Sequence, residues 1–254
     1  MGYLIAVTGK GGVGKTTVSS LIVSRLAAHR RGPVLAVDAD PNSCLDVALG
    51  VTVKKTVGGV REEAREIASK GMATGVAKQQ LLEMKIAESL VEMKDFDLLA
   101  MGRPEGPGCY CYANNVLKET IARIASQYPY IVVDNEAGLE NISRRIVTKI
   151  DLLLIVTDPS HNGLETVRRL HGLAKEMGVS YRKLAIIVNR LRSDALPETT
   201  SKLKENIQAD AVVGLPDCAE IADFAEKGRR LAGLTVDNAV QSRMDSFLRD
   251  MRLF

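Results

Sequence analysis

The sequence predicts an α/β fold in which a doubly wound, mostly parallel sheet is flanked by helices on both faces. Seven short runs are rich in branched apolar residues and hardly alternate with polar ones: 3–8, 34–38, 97–101, 130–134, 152–157, 184–189 and 211–214. Strands that are apolar throughout are buried on both faces, as in a sheet covered by helices. These runs therefore predict the strands of a central sheet.

Helices are predicted between the strands from the spacing of apolar residues. After the first strand this spacing joins Val18, Leu21, Ile22 and Leu26, and after the strand at 152–157 it joins Leu164, Val167, Leu170 and Leu173. Residues 54–94 carry many charged residues and helix formers but no run that is typical of a strand. We therefore expect one domain over 1–254 with a helical insertion at 54–94.

Composition narrows the classes of partner. The 254 residues include 34 Lys and Arg against 31 Asp and Glu, a net charge of +3. This balance lacks the concentrated positive charge of a general nucleic-acid binder, so we expect no nucleic-acid partner. No apolar run approaches about 18 residues, and the N-terminus carries no basic leader. We expect a cytoplasmic protein that does not span a membrane.

A glycine-rich loop follows the first predicted strand directly. Residues 9–17 read GKGGVGKTT and match the phosphate-loop pattern G-x-x-x-x-G-K-[ST]. Glycines let backbone N–H groups turn toward a polyphosphate, Lys15 adds a positive charge, and the Thr16 hydroxyl can ligate Mg²⁺. The expected phosphate contacts are Gly11, Gly12, Val13, Gly14, Lys15, Thr16 and Thr17.

A second lysine in this loop indicates a particular class of phosphate-loop protein. Lys10 makes the loop read KGGVGKT, and here the chain resembles the deviant-Walker P-loop ATPases, which include MinD, ParA, the nitrogenase iron protein and arsenite-pump ATPases. The resemblance implies hydrolysis of ATP to ADP and phosphate, and a face-to-face homodimer around two ATP molecules. In such a dimer Lys10 would reach the partner's nucleotide and stabilise the charge that develops on the phosphate.

The same resemblance assigns roles at the ends of other predicted strands. In VDADPN, it places Asp38 near the Mg²⁺ shell and gives Asp40 the role of positioning the attacking water. Asp134 resembles the second carboxylate of the magnesium site, Asn189 the amide that contacts adenine, and Pro216 the second loop that contacts the base. All five lie where ligands of open α/β sheets bind, at the carboxyl ends of strands.

Two of the four cysteines, Cys109 and Cys111, stand one residue apart in RPEGPGCYCYANN, residues 103–115. In an extended loop their thiols project to the same side and can reach one soft metal ion, whereas a disulfide across so small a ring would be strained. Two thiolates are half of a coordination sphere, which a twofold dimer would complete with four sulfurs. We expect Cys44 and Cys218 to be small buried residues.

The cysteine segment, together with DNEAGLENISRR downstream, resembles the carbon monoxide dehydrogenase maturation factors, the nickel-handling members of this ATPase group. The resemblance implies a metallochaperone that dimerises on ATP or metal binding and delivers Ni²⁺ to carbon monoxide dehydrogenase, with Zn²⁺ as a competitor. Accessory ATPases of acetyl-CoA synthase share the paired cysteines, and MinD-like membrane-associated regulators share the nucleotide site. Both stay open as alternatives, as do the physiological metal, the client and the step of the ATP cycle that drives transfer.

The C-terminal segment is relevant to the alternative that the protein is a MinD-like, membrane-associated regulator. Residues 239–254 have one apolar face, formed by Val240, Met244, Phe247, Leu248 and Met251. On the polar face, three arginines are offset by two aspartates. The remaining net positive charge is small for a helix that binds anionic lipid. A helix that closes the core is therefore favoured over one that docks on a membrane.

Overall fold

The computed structural model of the protein describes residues 2–29, 32–42, 44–69, 84, 87–102, 110–139, 149–193 and 195–254. Within these ranges eight strands form one sheet: β1 (Tyr3–Gly9), β2 (Val34–Asp38), β3 (Leu90–Glu92), β4 (Phe96–Ala100), β5 (Tyr130–Asp134), β6 (Ile150–Thr157), β7 (Tyr181–Leu191) and β8 (Ala211–Pro216). Their order is β3-β4-β2-β5-β1-β6-β7-β8. All neighbours are parallel except β3 and β4.

Helices cover both faces of this sheet. In the described ranges they are α1 (Lys15–Ala28), α2 (Leu45–Leu49), α3 (Val57–Ser69), α4 (Tyr110–Ile124), α5 (His161–Glu176), α6 (Glu198–Ile207), α7 (Ala219–Glu226) and α8 (Ala239–Asp250). Short 3₁₀ turns lie at Ala125–Gln127 and Leu231–Gly233. The predicted doubly wound α/β fold is confirmed.

Two hydrophobic cores result from the apolar strands. Alternate residues of β6 show this division, because Ile155 belongs to one buried cluster and Leu154 and Val156 belong to the other. The first cluster takes in α4, α5 and α6, and the second takes in α1, α2 and α8. Burial on both faces explains why these strands contain so few polar residues.

The structure differs from the sequence prediction in the insertion at 54–94. Helix α3 forms as expected, but Leu90–Glu92 is a strand, which pairs antiparallel with β4 through Leu90 opposite Leu99 and Glu92 opposite Asp97. Residues 70–83 and 85–86 of the insertion lie outside the described ranges. A strand of three residues is too short for a recognisable pattern, and its neighbour decides that it forms.

A second difference concerns the segment that carries the paired cysteines. Helix α4 begins at Tyr110, so the expected extended conformation is wrong from that residue onward, and Cys111 is the second residue of a helix. The helix is anchored by Leu117 and Ile121, which are buried in the first cluster. Cys109 lies outside the described residues, as does the side chain of Cys111.

The C-terminal helix closes the second core, as predicted. Its apolar residues Val240, Met244, Phe247, Leu248 and Met251 are all buried. Arg25 of α1 donates from Nε and Nη2 to the two carboxylate oxygens of Asp245, each at 2.6 Å. The apolar face considered for membrane docking is therefore packed against the protein. Across the described residues, no helix is long and apolar enough to cross a bilayer.

We predict that Phe247→Ala lowers the free energy of unfolding by about 3–5 kcal/mol, because the ring is fully buried in the second core and its loss leaves a cavity. Urea denaturation measures the change. Val236→Ala is the control, since that side chain is 92% exposed and its loss should cost about 0.5 kcal/mol or less. Similar stabilities of the two variants would contradict the packing of α8.

Candidate nucleotide site

The glycine-rich loop links β1 to α1 at the carboxyl edge of the sheet. Gly12 and Gly14 have left-handed backbones, with φ of 80° and 94°. A Cβ on Gly14 would lie 2.4 Å from Nδ2 of Asn189, so position 14 requires glycine for both conformation and space. Lys15 begins α1 and donates from Nζ to the carbonyl oxygen of Lys10 at 3.2 Å. This arrangement directs a helix N-terminus and an ammonium group at one point, as phosphate binding requires.

Two buried carboxylates stand side by side next to this loop. Asp38 ends β2, Asp134 ends β5, and the strand register sets them opposite each other. Asp38 accepts hydrogen bonds from the backbone N–H groups of Leu45 at 3.0 Å and Asp40 at 3.1 Å. Asp134 accepts one from the Ser19 hydroxyl at 3.0 Å. The strand ends thus bring together carboxylates that are far apart in the chain.

Burial makes these two carboxylates unusually basic. Desolvation raises the pKa of Asp38 to about 7, and the nearby Asp134 charge adds to the effect. Desolvation also raises the pKa of Asp134 to about 6, against the lowering effect of hydrogen bonds from Thr16 and Ser19. A bound cation would compensate for the cost of ionising both groups. Hard oxygen donors from Asp38, Asp134 and Thr16 fit Mg²⁺, whether they bind it directly or through its waters.

We predict that the unliganded protein loses stability as the pH rises from 5 to 8. The folded-state pKa of Asp38 lies above the ordinary value of 3.8, so the folded protein holds more protons than the unfolded chain in this range and stability falls with pH. Urea unfolding without nucleotide or Mg²⁺ should show a decrease on the order of 2 kcal/mol from this group. Asp38→Asn should flatten the dependence, whereas Asp46→Asn on α2 should keep it. Identical pH profiles for wild type and Asp38→Asn would refute the assignment.

Asp40 follows β2 and lies beside the buried pair. It is half-buried, and its Oδ1 accepts from the backbone N–H of Asn42 at 2.8 Å and from Nδ2 of Asn42 at 3.1 Å. Its charge contributes to raising the pKa values of Asp38 and Asp134. The carboxylate is thus oriented by its own turn next to the phosphate loop.

The residues expected to contact the base lie at the ends of β7 and β8, next to the phosphate loop. Asn189 of β7 donates from Nδ2 to the carbonyl oxygen of Val13 at 2.9 Å, which joins the end of β7 to the phosphate loop. Asn189, Pro216 and Thr17 line one cavity of about 110 Å³. Strands β7 and β8 are adjacent and parallel, which explains why two residues distant in sequence meet here.

The two remaining cysteines are less buried than predicted. Cys218 is half-buried and lines the same cavity, while Cys44 is exposed and lines a neighbouring cleft of about 300 Å³ with Thr16 and Thr17. The expectation of burial is wrong for Cys44, because it precedes the surface helix α2, which buries Leu45 and Leu49 instead. Across the described residues no three His, Cys, Asp or Glu side chains form a metal site.

Sequence reasoning missed Ser19 and Thr8, which support the site. Ser19 lies one helical turn after Thr16, and its polar side chain in the apolar stripe of α1 was an available signal. The Thr8 hydroxyl donates to the carbonyl oxygen of Gly138, and the Gly138 N–H donates to the carbonyl oxygen of Gly9 at 3.1 Å. These contacts tie the segment after β5 to the phosphate loop, and no local pattern indicated them.

Together, the loop at the end of β1, the paired carboxylates and the cavity lined by Asn189, Pro216 and Thr17, which is called the base-side cavity below because these residues are expected to hold the base, define a P-loop nucleotide-binding protein. A family profile, AAA_31, described as an AAA domain, matches residues 3–185. The chain belongs to this family of P-loop ATPases, in the group that contains MinD and ParA. It is therefore an ATPase, and this membership implies ATP or ADP and Mg²⁺ as its ligands.

Individual relatives cover most of the chain. It is 40% identical over 243 residues, 95% of each chain, to the uncharacterized ATP-binding protein MJ0685 of Methanocaldococcus jannaschii. It is 31% identical over 201 residues, 74% of each chain, to the carbon monoxide dehydrogenase accessory protein CooC of Rhodospirillum rubrum. The fold is similar to that of the cell division ATPase MinD of Pyrococcus furiosus, with a TM-score of 0.71 and 20% identity over 100% of this chain and 99% of that one.

Proposed function

We propose that this ATPase is a homodimeric metallochaperone that binds Ni²⁺ through Cys109 and Cys111 and assists nickel insertion into carbon monoxide dehydrogenase. The observation that carries the proposal is the pair of cysteines one residue apart in a chain that is similar to a carbon monoxide dehydrogenase accessory protein. Paired thiolates are soft ligands, which suit Ni²⁺ and Zn²⁺. We assign the ion the role of cargo.

The position of Cys111 supports thiolate chemistry. It is the second residue of α4, a helix of 15 residues. Backbone N–H groups in a first helical turn interact favourably with negative charge, so this position is compatible with a thiolate ligand. A thiolate is the form that binds metal. The strand-like alternation expected from the sequence does not apply to Cys111, because this residue belongs to a helix.

The path of the chain supports coupling between nucleotide and metal. Strand β4 lies beside β2, and the Met101 N–H donates to the carbonyl oxygen of Asp38 at 2.8 Å. Met101, two residues before the cysteine segment in the sequence, therefore lies next to a residue of the proposed magnesium site. A change in Asp38 when phosphate binds or leaves would act through this hydrogen bond on Met101, and along the chain from there on the cysteine segment. The geometry suits a metal site under nucleotide control.

A dimer would complete both sites. The Lys10 side chain is exposed at the loop, and across the described residues it forms no hydrogen bond or ion pair. It is thus available to contact the nucleotide of a second copy, where its charge would stabilise the transferring phosphate. Twofold symmetry would also supply four thiolates for a single ion, the number that a tetrahedral site needs.

We assign the hydrolytic roles within one protomer as the family resemblance implies, and the positions of these residues around the phosphate loop support the assignment. Lys15 and the N-terminus of α1 bind the phosphates, and Asp40 orients the attacking water. Asn189 and Pro216 hold the base. Bound Mg²⁺ would neutralise charge on the phosphate oxygens, with Thr16, Asp38 and Asp134 as its direct or water-mediated contacts. The role of accessory ATPase for acetyl-CoA synthase differs from this proposal only in the client enzyme.

Counting metal per chain in protein of known size tests the proposal. The protein is purified without metal, then sized by light scattering with and without ATP and with Ni²⁺ or Zn²⁺, and the ion is quantified in each peak. We expect about one ion per two chains, found in the dimer. A monomer that retains one ion per chain, or a metal-free dimer in saturating Ni²⁺, would refute the shared site.

A further inference from the structure

Strand β7 contains a bulge at the nucleotide site. Its register with β8 is regular up to Val188 opposite Gly214, and then Leu191 stands opposite Pro216. Three steps along β7 thus match two along β8, so one extra residue is inserted. Arg190 within the bulge has a left-handed backbone with φ of 59°. This conformation favours glycine and disfavours residues that have a Cβ.

The bulge changes which way the side chains face. Ile186 and Val188 pack in one core and Ile187 in the other, as a regular strand requires. Continued alternation would put Leu191 with Ile187, but Leu191 is buried with Val188. The inserted residue restores Leu191 to its core and leaves two consecutive residues, Asn189 and Arg190, lining the base-side cavity. Bulges re-aim side chains in this way next to active sites.

Packing does not explain an arginine at this strained position. The side chain is exposed, and within the described residues it forms no hydrogen bond or ion pair. The pKa of Asp158 is lowered mainly by a hydrogen bond from Ser160, and the charges of Lys10 and Arg190 also help to lower it. Glycine would suit the backbone better, so the side chain is the feature that needs an explanation.

We propose that Arg190 is a base-binding residue, whose planar guanidinium stacks on the face of the adenine that Asn189 contacts at its edge. Arginine is suited to this contact because its flat, delocalised cation packs on aromatic rings. The Nδ2 of Asn189 is held by the carbonyl oxygen of Val13, which fixes one wall of the cavity while Arg190 covers another. This inference rests on the proposed assignment of the cavity to the nucleotide base.

The test is Arg190→Gly, which removes the guanidinium and relieves the backbone. We expect an unchanged or higher melting temperature, MgATP affinity weakened about tenfold, and kcat at saturating ATP within about twofold of wild type. Arg190→Lys keeps the charge but loses the planar group, so it should not restore the affinity. Arg192→Ala, a nearby exposed arginine outside the cavity lining, should bind MgATP like wild type.

Each contrary outcome has a distinct meaning. Equal MgATP affinity of Arg190→Gly and wild type, with Asn189→Ala weakened, would overturn the role of Arg190 alone. Equal affinity of all three would overturn the base assignment of the cavity as well. A parallel loss of kcat, or full rescue by Arg190→Lys, would indicate a charge contact with the phosphates and would overturn base stacking.

Discussion

Replacing Asp40 with asparagine is expected to lower kcat for ATP hydrolysis by about 10²–10⁴-fold, while the affinity for MgATP stays within about threefold of wild type. An amide keeps the size of the side chain and can still accept from Asn42, so the local turn should persist. It lacks the negative charge and the basicity needed to orient and polarise a water molecule. Steady-state phosphate release and equilibrium binding of MgATP measure the two quantities separately.

The matched control for Asp40→Asn is Asp46→Asn. Both substitutions remove one negative charge after β2, but Asp46 lies on α2, and its Oδ1 accepts from the Val47 N–H. The control should retain kcat within about twofold. A kcat for Asp40→Asn above one tenth of the wild-type value would remove Asp40 from the proposed catalytic role. Proportional losses in both variants would indicate a general charge effect.

The second large effect is expected for Cys111→Ser. A serine hydroxyl is a poor ligand for a soft ion, so the dimer would keep at most two of the four proposed sulfurs. Metal content should fall from about one ion per two chains to near zero, while MgATP affinity stays within about threefold. Metal analysis after gel filtration and binding titrations on the same sample provide the measurements.

Two further variants make this result interpretable. Cys109→Ser should lose metal to the same extent, since the two thiols are proposed to act as a pair. Cys44→Ser should retain metal, because the Cys44 thiol is exposed beside Thr16 and Thr17 and is not part of the proposed pair. Full metal content in the Cys111→Ser dimer would refute the site, and loss in Cys44→Ser would indicate a different ligand set.

The proposed coupling makes metal release depend on the nucleotide. Phosphate binding near Asp38 would be transmitted to Met101 through the hydrogen bond between their backbones, and from there to the cysteine segment. A ligand shifts such an equilibrium only as far as its affinities for the two states differ. Dissociation of Ni²⁺ should therefore differ between the ATP and ADP forms of the same dimer, if coupling runs along this path.

Local sequence patterns were sufficient to predict much of the fold. The apolar runs predicted seven of the strands, because burial on both faces leaves a continuous signature in sequence. The glycine-rich loop was also predicted, since its chemistry is contained within nine consecutive residues, and the helix after it was predicted from the spacing of its apolar residues. Strand β3 escaped prediction because its pairing with β4 decides that it forms, and the start of α4 was expected to be an extended loop.

The sequence by itself determined the layered α/β fold and the phosphate loop, since both follow from spacings of a few residues. Only the tertiary structure decided that Asp38 and Asp134 lie opposite each other, that Asn189 holds the carbonyl of Val13, and that a bulge turns Arg190 toward the base-side cavity. These contacts depend on strand order and register, which are set by packing between segments that other strands and helices separate in the sequence. A local pattern carries no record of such pairings.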